Sequence, residues 1–236
     1  MNNLQVRNAN KKRILNYLYQ NDGASKRDIM RALGLSAPTV SLILKDLAQR
    51  GLVRKSGTLE SSGGRRPAAN SLVYDARLSA GMEITHNHLR FALIDMGETM
   101  RHSRKLRRIF HNDPAYFQQA AQELENFLND CEMDRSRLLG VGIALPGIVD
   151  ARRNLLTYSP TLPVTNLSLD VFRSCFPYPL RAGNEAKLAG FTEIWKMDGT
   201  EDAVYLSVNK GVGGAILIGN KLFCGTDGRA GEFGHM

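Results

Sequence analysis

The chain has 236 residues, 43% apolar and 23% charged, enough for two domains that each bury a core of their own. No run approaches the roughly eighteen apolar residues of a membrane span, and the opening MNNLQVRNANKKR has no apolar stretch behind its charges to read as a secretory signal. Charge is unevenly placed: residues 1–70 carry 13 Lys and Arg against 4 Asp and Glu, the other 166 carry 18 against 19, so the first third is suited to a polyanion.

Ile14, Leu15 and Leu18 follow helical spacing in a segment that ends near Asn21-Asp22-Gly23. Ser25 with Asp28 three residues on is a capping box opening a second helix, which Gly34 closes. Ser36 is an N-cap for a third helix, with Pro38 in its first turn, apolar Val40, Ile43, Leu44 and Leu47 on one face, and Gly51 at its end. Only Leu33-Gly34-Leu35-Ser36 separates the last two helices, the short turn of a helix-turn-helix. With those apolar groups turned inward, Ser36, Ala37, Thr39, Ser41 and Lys45 remain for an outer face that could enter a major groove. Leu52–Lys55 and Ser71–Tyr74 read as two strands joined by the loop SGTLESSGGRRPAAN, a wing whose tip is Gly63-Gly64-Arg65-Arg66-Pro67. Glycines let backbone approach the sugar-phosphate edge, and Arg65 and Arg66 suit a narrow, negative minor groove. A winged helix-turn-helix over residues 1–75 is the expectation.

From Ala80 the texture changes to apolar strands and glycine turns. Ala80–Ile84 and Leu89–Ile94 read as paired strands around Thr85-His86-Asn87-His88, followed by a strand over Met100 to Phe110. An amphipathic helix covers about Pro114 to Cys131, with Phe117, Ala121, Leu124 and Leu128 on one face. Leu138–Ala144 is a buried strand that ends in Leu145-Pro146-Gly147. Ala203–Val208 leads into a hairpin with a glycine-dense bend at Gly211-Val212-Gly213-Gly214. Residues 76–236 therefore form an α/β domain.

The runs GVGIALPGIVD, AGNEAKLAGFTE, YLSVNKGVGGAILIGNKLFCG and DGRAGEFGHM resemble the ROK family of repressors, open reading frames and kinases. The winged head and GGRRP make the chain similar to its repressor branch. The resemblance implies an actin-like, sugar-kinase-like fold for residues 76–236, with the second lobe incomplete. It implies a sugar pocket of Asn184, Glu185, Glu232 and His235 with Gly147 at its wall. Sugar hydroxyls both donate and accept, so carboxylate, amide and imidazole groups together fix several of them.

Family kinases carry Asp where this chain has Glu185, and a D-x-G-G-T phosphate loop where it has Glu83-Ile84-Thr85-His86-Asn87. ATP binding and sugar phosphorylation are accordingly not expected. The family also pairs the His235 position with a downstream cysteine segment in a structural zinc site. Here the sequence stops one residue after His235, and Cys131, Cys175 and Cys224 lack the spacing. They read as reduced thiols in a cytoplasm, with no disulfide framework. The chain is read as a fragment without the zinc loop, the rest of the second lobe and most of a dimerisation surface. No cofactor is expected in this chain, with zinc only if the cysteine segment follows His235.

Three functions stay open at this point. One is a homodimeric cytoplasmic repressor of operator DNA released by a monosaccharide. The others are a hexose kinase with an appended DNA-binding head, and a constitutive DNA binder with a vestigial sensor. Replacing Arg65 and Arg66 with Ala is expected to weaken DNA binding and flatten its log–log salt dependence by about one to two units, measured by fluorescence anisotropy across a salt series.

Overall fold

A computed structural model describes residues 3–58, 68–195, 202–208 and 211–235. Two compact units emerge, one of Met1–Arg77 with Asp95–Thr99, the other of Leu78–Ile94 with Met100–Met236.

The first unit runs α1 (Asn3–Gln20), β1 (Ala24–Ser25), α2 (Lys26–Leu33), α3 (Ala37–Gln49), β2 (Val53–Thr58) and β3 (Ala68–Leu72). Its helix ends follow local chemistry. The Ser25 hydroxyl accepts the Asp28 N–H, and Asp28 accepts the Ser25 N–H in return at 3.0 Å. Gly34 takes the left-handed conformation at the end of α2, where the Arg13 guanidinium donates to the Leu33 carbonyl at 2.6 Å. Ile14, Leu18, Ile29, Val40, Ile43 and Leu47 form a core closed to solvent.

The strands order β1-β3-β2, all antiparallel, and the buried Asn70 amide donates to the Ala24 carbonyl at 3.0 Å. The wing strands reach further into the loop than the sequence reading placed them. A bulge between Lys55 and Gly57 absorbs one residue where Gly57 sits at φ 135, and pairing resumes to Thr58 opposite Ala68. At the other end β3 stops at Leu72, and Tyr74–Ala76 is a 3-10 turn instead of strand. The expected wing tip, Gly63 to Pro67 with Arg65 and Arg66, lies outside the described residues.

The second unit continues with β4 (Leu78–Ile84), β5 (His88–Asp95), β6 (Met100–Arg107), α4 (Pro114–Asp130), β7 (Leu138–Leu145), β8 (Ile148–Asp150), β9 (Leu155–Ser159), β10 (Val164–Ser168), α5 (Asp170–Arg173), β11 (Leu180–Asn184), α6 (Glu185–Trp195), β12 (Ala203–Val208), β13 (Val212–Ile218) and β14 (Lys221–Leu222). Its main sheet has the order β11-β7-β4-β5-β6, with β11, β7 and β4 parallel. Strand alternation sends Leu78, Ala80, Met82 and Ile84 of β4 and Val141, Ile143 and Leu145 of β7 to one face. On that face they meet Phe117, Leu124, Phe127 and Leu128 of α4, with Phe91 and Phe127 stacked at 5.6 Å.

The small antiparallel sheet β10-β9-β8 was not anticipated from sequence. Its strands have three to five residues, and turns at Asp150 and Ser159 interrupt any periodicity. The glycine-dense bend is also corrected. Gly213 and Gly214 lie inside β13, opposite Ser207 and Leu206. A Cβ on Gly213 would stand 2.9 Å from that of Ala186, and one on Gly214 would collide with the Phe233 ring, so the missing side chains admit α6 and the last turn. Among the described residues no helix is long and apolar enough to cross a membrane.

Leu124 is fully buried where α4 packs on the sheet. Leu124→Ala is expected to destabilise this unit by about 2–5 kcal/mol, read as a lower urea midpoint at unchanged slope by circular dichroism.

Candidate functional site

Parallel pairing brings three strand ends to one edge of the main sheet. Asn184 stands beside Leu145, and Glu83 beside Ala144. The turn after β7, the start of α6 and the end of β4 therefore lie together at the carboxyl ends of the strands, the usual ligand position in open α/β sheets.

Gly147 holds φ 104 there, and a Cβ would collide with the Tyr158 carbonyl and lie 2.8 Å from the Ser159 Cα. Only glycine fits. Asn184, 9% exposed, donates from Nδ2 to the Gly147 carbonyl at 2.8 Å and accepts the Lys187 N–H at Oδ1 at 2.9 Å. One amide thus fastens the β7 turn and caps the start of α6. Lys187, 5% exposed, then reaches across: its Nζ donates to Glu232 Oε1 at 2.8 Å and to the Gly228 carbonyl. Gly228, at φ 84, lies so near the Val149 carbonyl that a Cβ would be 2.6 Å away, which seats this loop against β8. Residues 147, 184 and 232 are joined through a lysine.

Sequence reasoning missed Lys187. Its signal is present in AGNEAKLAG: three residues after Asn184, it shares one face of the first helical turn. Glu185 belongs to a different electrostatic group. Crowding by protein raises its carboxyl above the ordinary 4.5, the Glu83 carboxylate adds to this, and Arg90 opposes it. Arg90 itself pairs with Glu83 at 2.8 Å. His235 ends the 3-10 turn Phe233–His235, and its side chain lies outside the described residues.

Zinc was expected only where a cysteine segment follows His235. Cys131 and Cys175 are half-buried, Cys224 is exposed, and no three metal-ligating side chains gather among the described residues. The turn that the family resemblance sets in the place of the kinase phosphate loop is closed by hydrogen bonds. Thr85 N–H and Oγ1 both donate to the His88 carbonyl, and Oγ1 accepts the His88 N–H at 3.1 Å. The Thr85 and His88 donors are thus committed within the turn. A cavity of about 1230 Å³ covers the sheet face opposite α4, around Gly81, Ala92, Gly142 and Ala144. It is mainly apolar, and none of Gly147, Asn184 and Glu232 lines it.

In the first unit, the outer face of α3 differs in part from expectation. Ser41 and Lys45 are exposed, but Ala37 and Thr39 are half-buried. The Ser36 hydroxyl caps the helix and hydrogen-bonds that of Thr39 at 2.9 Å, and Ser41 Oγ donates to the Ala37 carbonyl at 2.8 Å. Leu42 is 55% exposed beside Ser41 and Lys45, a residue the sequence reading placed on neither face. Asp46, the single acid of α3, is bonded to Lys11 at 2.8 Å and Arg7 at 3.4 Å, and Lys11 above all holds its carboxyl below the usual range. The face is left without an unpaired negative charge. Arg54 and Lys55 of β2, also exposed, extend the cationic surface.

The ROK family profile matches residues 79–236, two thirds of the chain. The chain belongs to the ROK family. Residues 7–54 of this ROK protein also match a winged helix-turn-helix DNA-binding profile. It is 28% identical to the xylose repressor of Caldicellulosiruptor bescii over 99% of its own length and 60% of the relative's. Its fold resembles a crystal structure of a ROK family transcriptional regulator, a homologue of the E. coli MLC protein. The TM-score is 0.79 at 20% identity, covering 98% of this chain and 59% of that one. A ROK glucokinase from Streptomyces griseus, solved with glucose and AMPPNP, shares the fold over 67% of this chain and 50% of its own, at TM-score 0.56 and 23% identity. The chain thus spans about 60% of the length of the curated relatives it matches.

Because the Glu185 carboxyl is raised, its contribution to stability is full below pH 4.5 and is lost as pH rises through the folded-state value. Glu185→Gln is expected to match the parent near about pH 4 and to melt higher near about pH 7, measured by thermal denaturation at the two pH values.

Proposed function

We propose that this ROK protein is a sugar-responsive transcriptional repressor, acting as a homodimer and without catalysis. It would bind operator DNA through α3 and the wing, and a monosaccharide in the crevice around Asn184. The observation that carries the reading is the joining of a winged head to a ROK domain whose phosphate loop has become a closed turn. A kinase must hold triphosphate and metal there; an effector site needs only to recognise sugar.

On the DNA side, Ser41 and Lys45 of α3 would reach base edges or phosphates, with Leu42 against a thymine methyl. Arg65 and Arg66 would follow the minor groove or backbone. Two heads on a palindromic operator match the two-fold symmetry of a dimer. On the sugar side, Gly147 would form the wall, and Asn184, Glu185, Glu232 and His235 would share the hydroxyls. The Asn184 amide has one N–H and one lone pair beyond its structural bonds, and Glu232 has a second oxygen beyond Lys187. Release requires only that sugar favour a conformation whose head spacing mismatches the half-sites.

The test uses DNA selected by the protein from a random pool, and titrates bound complex with xylose, glucose and other monosaccharides. One sugar is expected to release the DNA. Glu232→Ala should keep DNA affinity within about twofold while abolishing release, since it alters the effector contribution and leaves the head intact. Release by the same sugar concentration in that variant would place the site elsewhere. Sugar phosphate formed with Mg-ATP, and lost in Glu185→Ala, would establish the kinase reading instead.

A further inference from the structure

The near-neutral balance of the second unit conceals a local concentration of cations. Residues 100–112 hold Arg101, Arg104, Lys105, Arg107, Arg108, His102 and His111, and no Asp or Glu. Helix α4 neutralises two of them. Arg104 pairs with Asp130 at 2.5 Å and lies over the Phe127 ring, and Arg108 pairs with Glu123 at 2.7 Å and donates to Gln119 at 3.3 Å. Arg107 has no ion pair among the described residues.

Beside Arg107, at the start of α4, is a cavity of about 500 Å³ lined by Arg107, Arg108, His111, Tyr116 and Gln119. Two donors in its wall have no acceptor among the described residues. Tyr116 is 3% exposed, with its ring held edge-on by Phe110 at 4.9 Å and Phe117 at 5.7 Å, and its hydroxyl is buried without a hydrogen-bond partner. The buried Nε of Arg108 is likewise without one. Orphaned buried polar groups are rare in native proteins and point to a bound water, ion or ligand. Asp113 is the one carboxylate in the lining, and its Oδ1 already accepts the Tyr116 N–H at 2.7 Å as the cap of α4.

We propose that this cavity is a second ligand site, separate from the sugar crevice, that takes a phosphoryl group, free or on a small metabolite. A small settling of the ligand between the Arg107 and Tyr116 sides would give both orphaned donors an acceptor oxygen. Donors from the Arg107 fork, Arg108 Nε, Tyr116 and His111 come from separate side chains and so suit a tetrahedral oxyanion better than one planar carboxylate. The start of the seventeen-residue α4 adds positive potential at the same end. Burial raises the Tyr116 hydroxyl's pKa, with Arg108 opposing, so the group stays protonated and able to donate. The volume is enough for a small phosphorylated metabolite.

The test measures melting temperature against inorganic phosphate and against glucose 6-phosphate at constant ionic strength, with acetate as control, in the parent, Arg107→Met and Tyr116→Phe. Tyr116→Phe keeps the ring and removes only the orphaned hydroxyl, so it should melt at or above the parent without ligand. The parent should show a saturable rise with a phosphoryl ligand and not with acetate. Each substitution should weaken apparent affinity by roughly tenfold. The stronger of the two phosphoryl ligands identifies the source as free ion or ester. No saturable rise, an equal rise with acetate, or a rise undiminished in both variants would overturn the site. A phosphate response arising at the cationic head would survive both substitutions, and none of these results bears on the sugar crevice.

Discussion

The crevice depends on what the Asn184 amide does with its two ends. Its Nδ2 holds the Gly147 carbonyl and its Oδ1 holds the Lys187 N–H, so the turn after one parallel strand and the helix after the next are locked together. This fixes the first turn of α6, and the first turn aims Lys187 at Gly228 and Glu232. A residue family resemblance assigns to sugar is thus also the fastening of the site that would hold the sugar. Removing its amide would orphan a carbonyl and a helix N–H in a nearly closed environment, where each is costly to leave unpaired.

The lysine alters how the pocket's charge is understood. Two glutamates near one another would repel anionic ligands and each other. In the folded chain Glu232 is matched by Lys187 at 2.8 Å, while Glu185 is raised by burial first and by the Glu83 carboxylate second, with Arg90 opposing. Charge counting over the whole unit shows neither effect. The same averaging hid the cations between β6 and α4, since their counter-charges lie on α4. Net charge describes association at long range; the chemistry of a site depends on which groups come within a few ångström.

The winged head was legible in sequence because its signals are local. Ser25 with Asp28, Gly34, and Ser36 ahead of Pro38 each act within one helical turn, and the structure keeps each of them. The face of α4 was legible for a similar reason: Phe117, Ala121, Leu124 and Leu128 are one periodic stripe, and all four are buried. Leu42 was not, since an exposed leucine off the Val40, Ile43, Leu44 and Leu47 stripe has no period to mark it. Nor were β8 to β10, where strands of three to five residues carry too little periodicity to stand out.

By itself the sequence determined the two-part organisation, the caps and faces of the helices, and the family, through motifs that are contiguous in the chain. Only the tertiary structure decided that Gly147, Asn184 and Glu232 meet through Lys187, that Glu185 stands with Glu83 and Arg90, and that Thr85 spends its donors on a closed turn. The physical reason is separation along the chain. Parallel strands must be joined by long crossovers, so groups that end at one sheet edge lie dozens of residues apart, and no local preference encodes their meeting. Pairing register and the packing of glycines against Tyr158, Val149 and Phe233 set it instead.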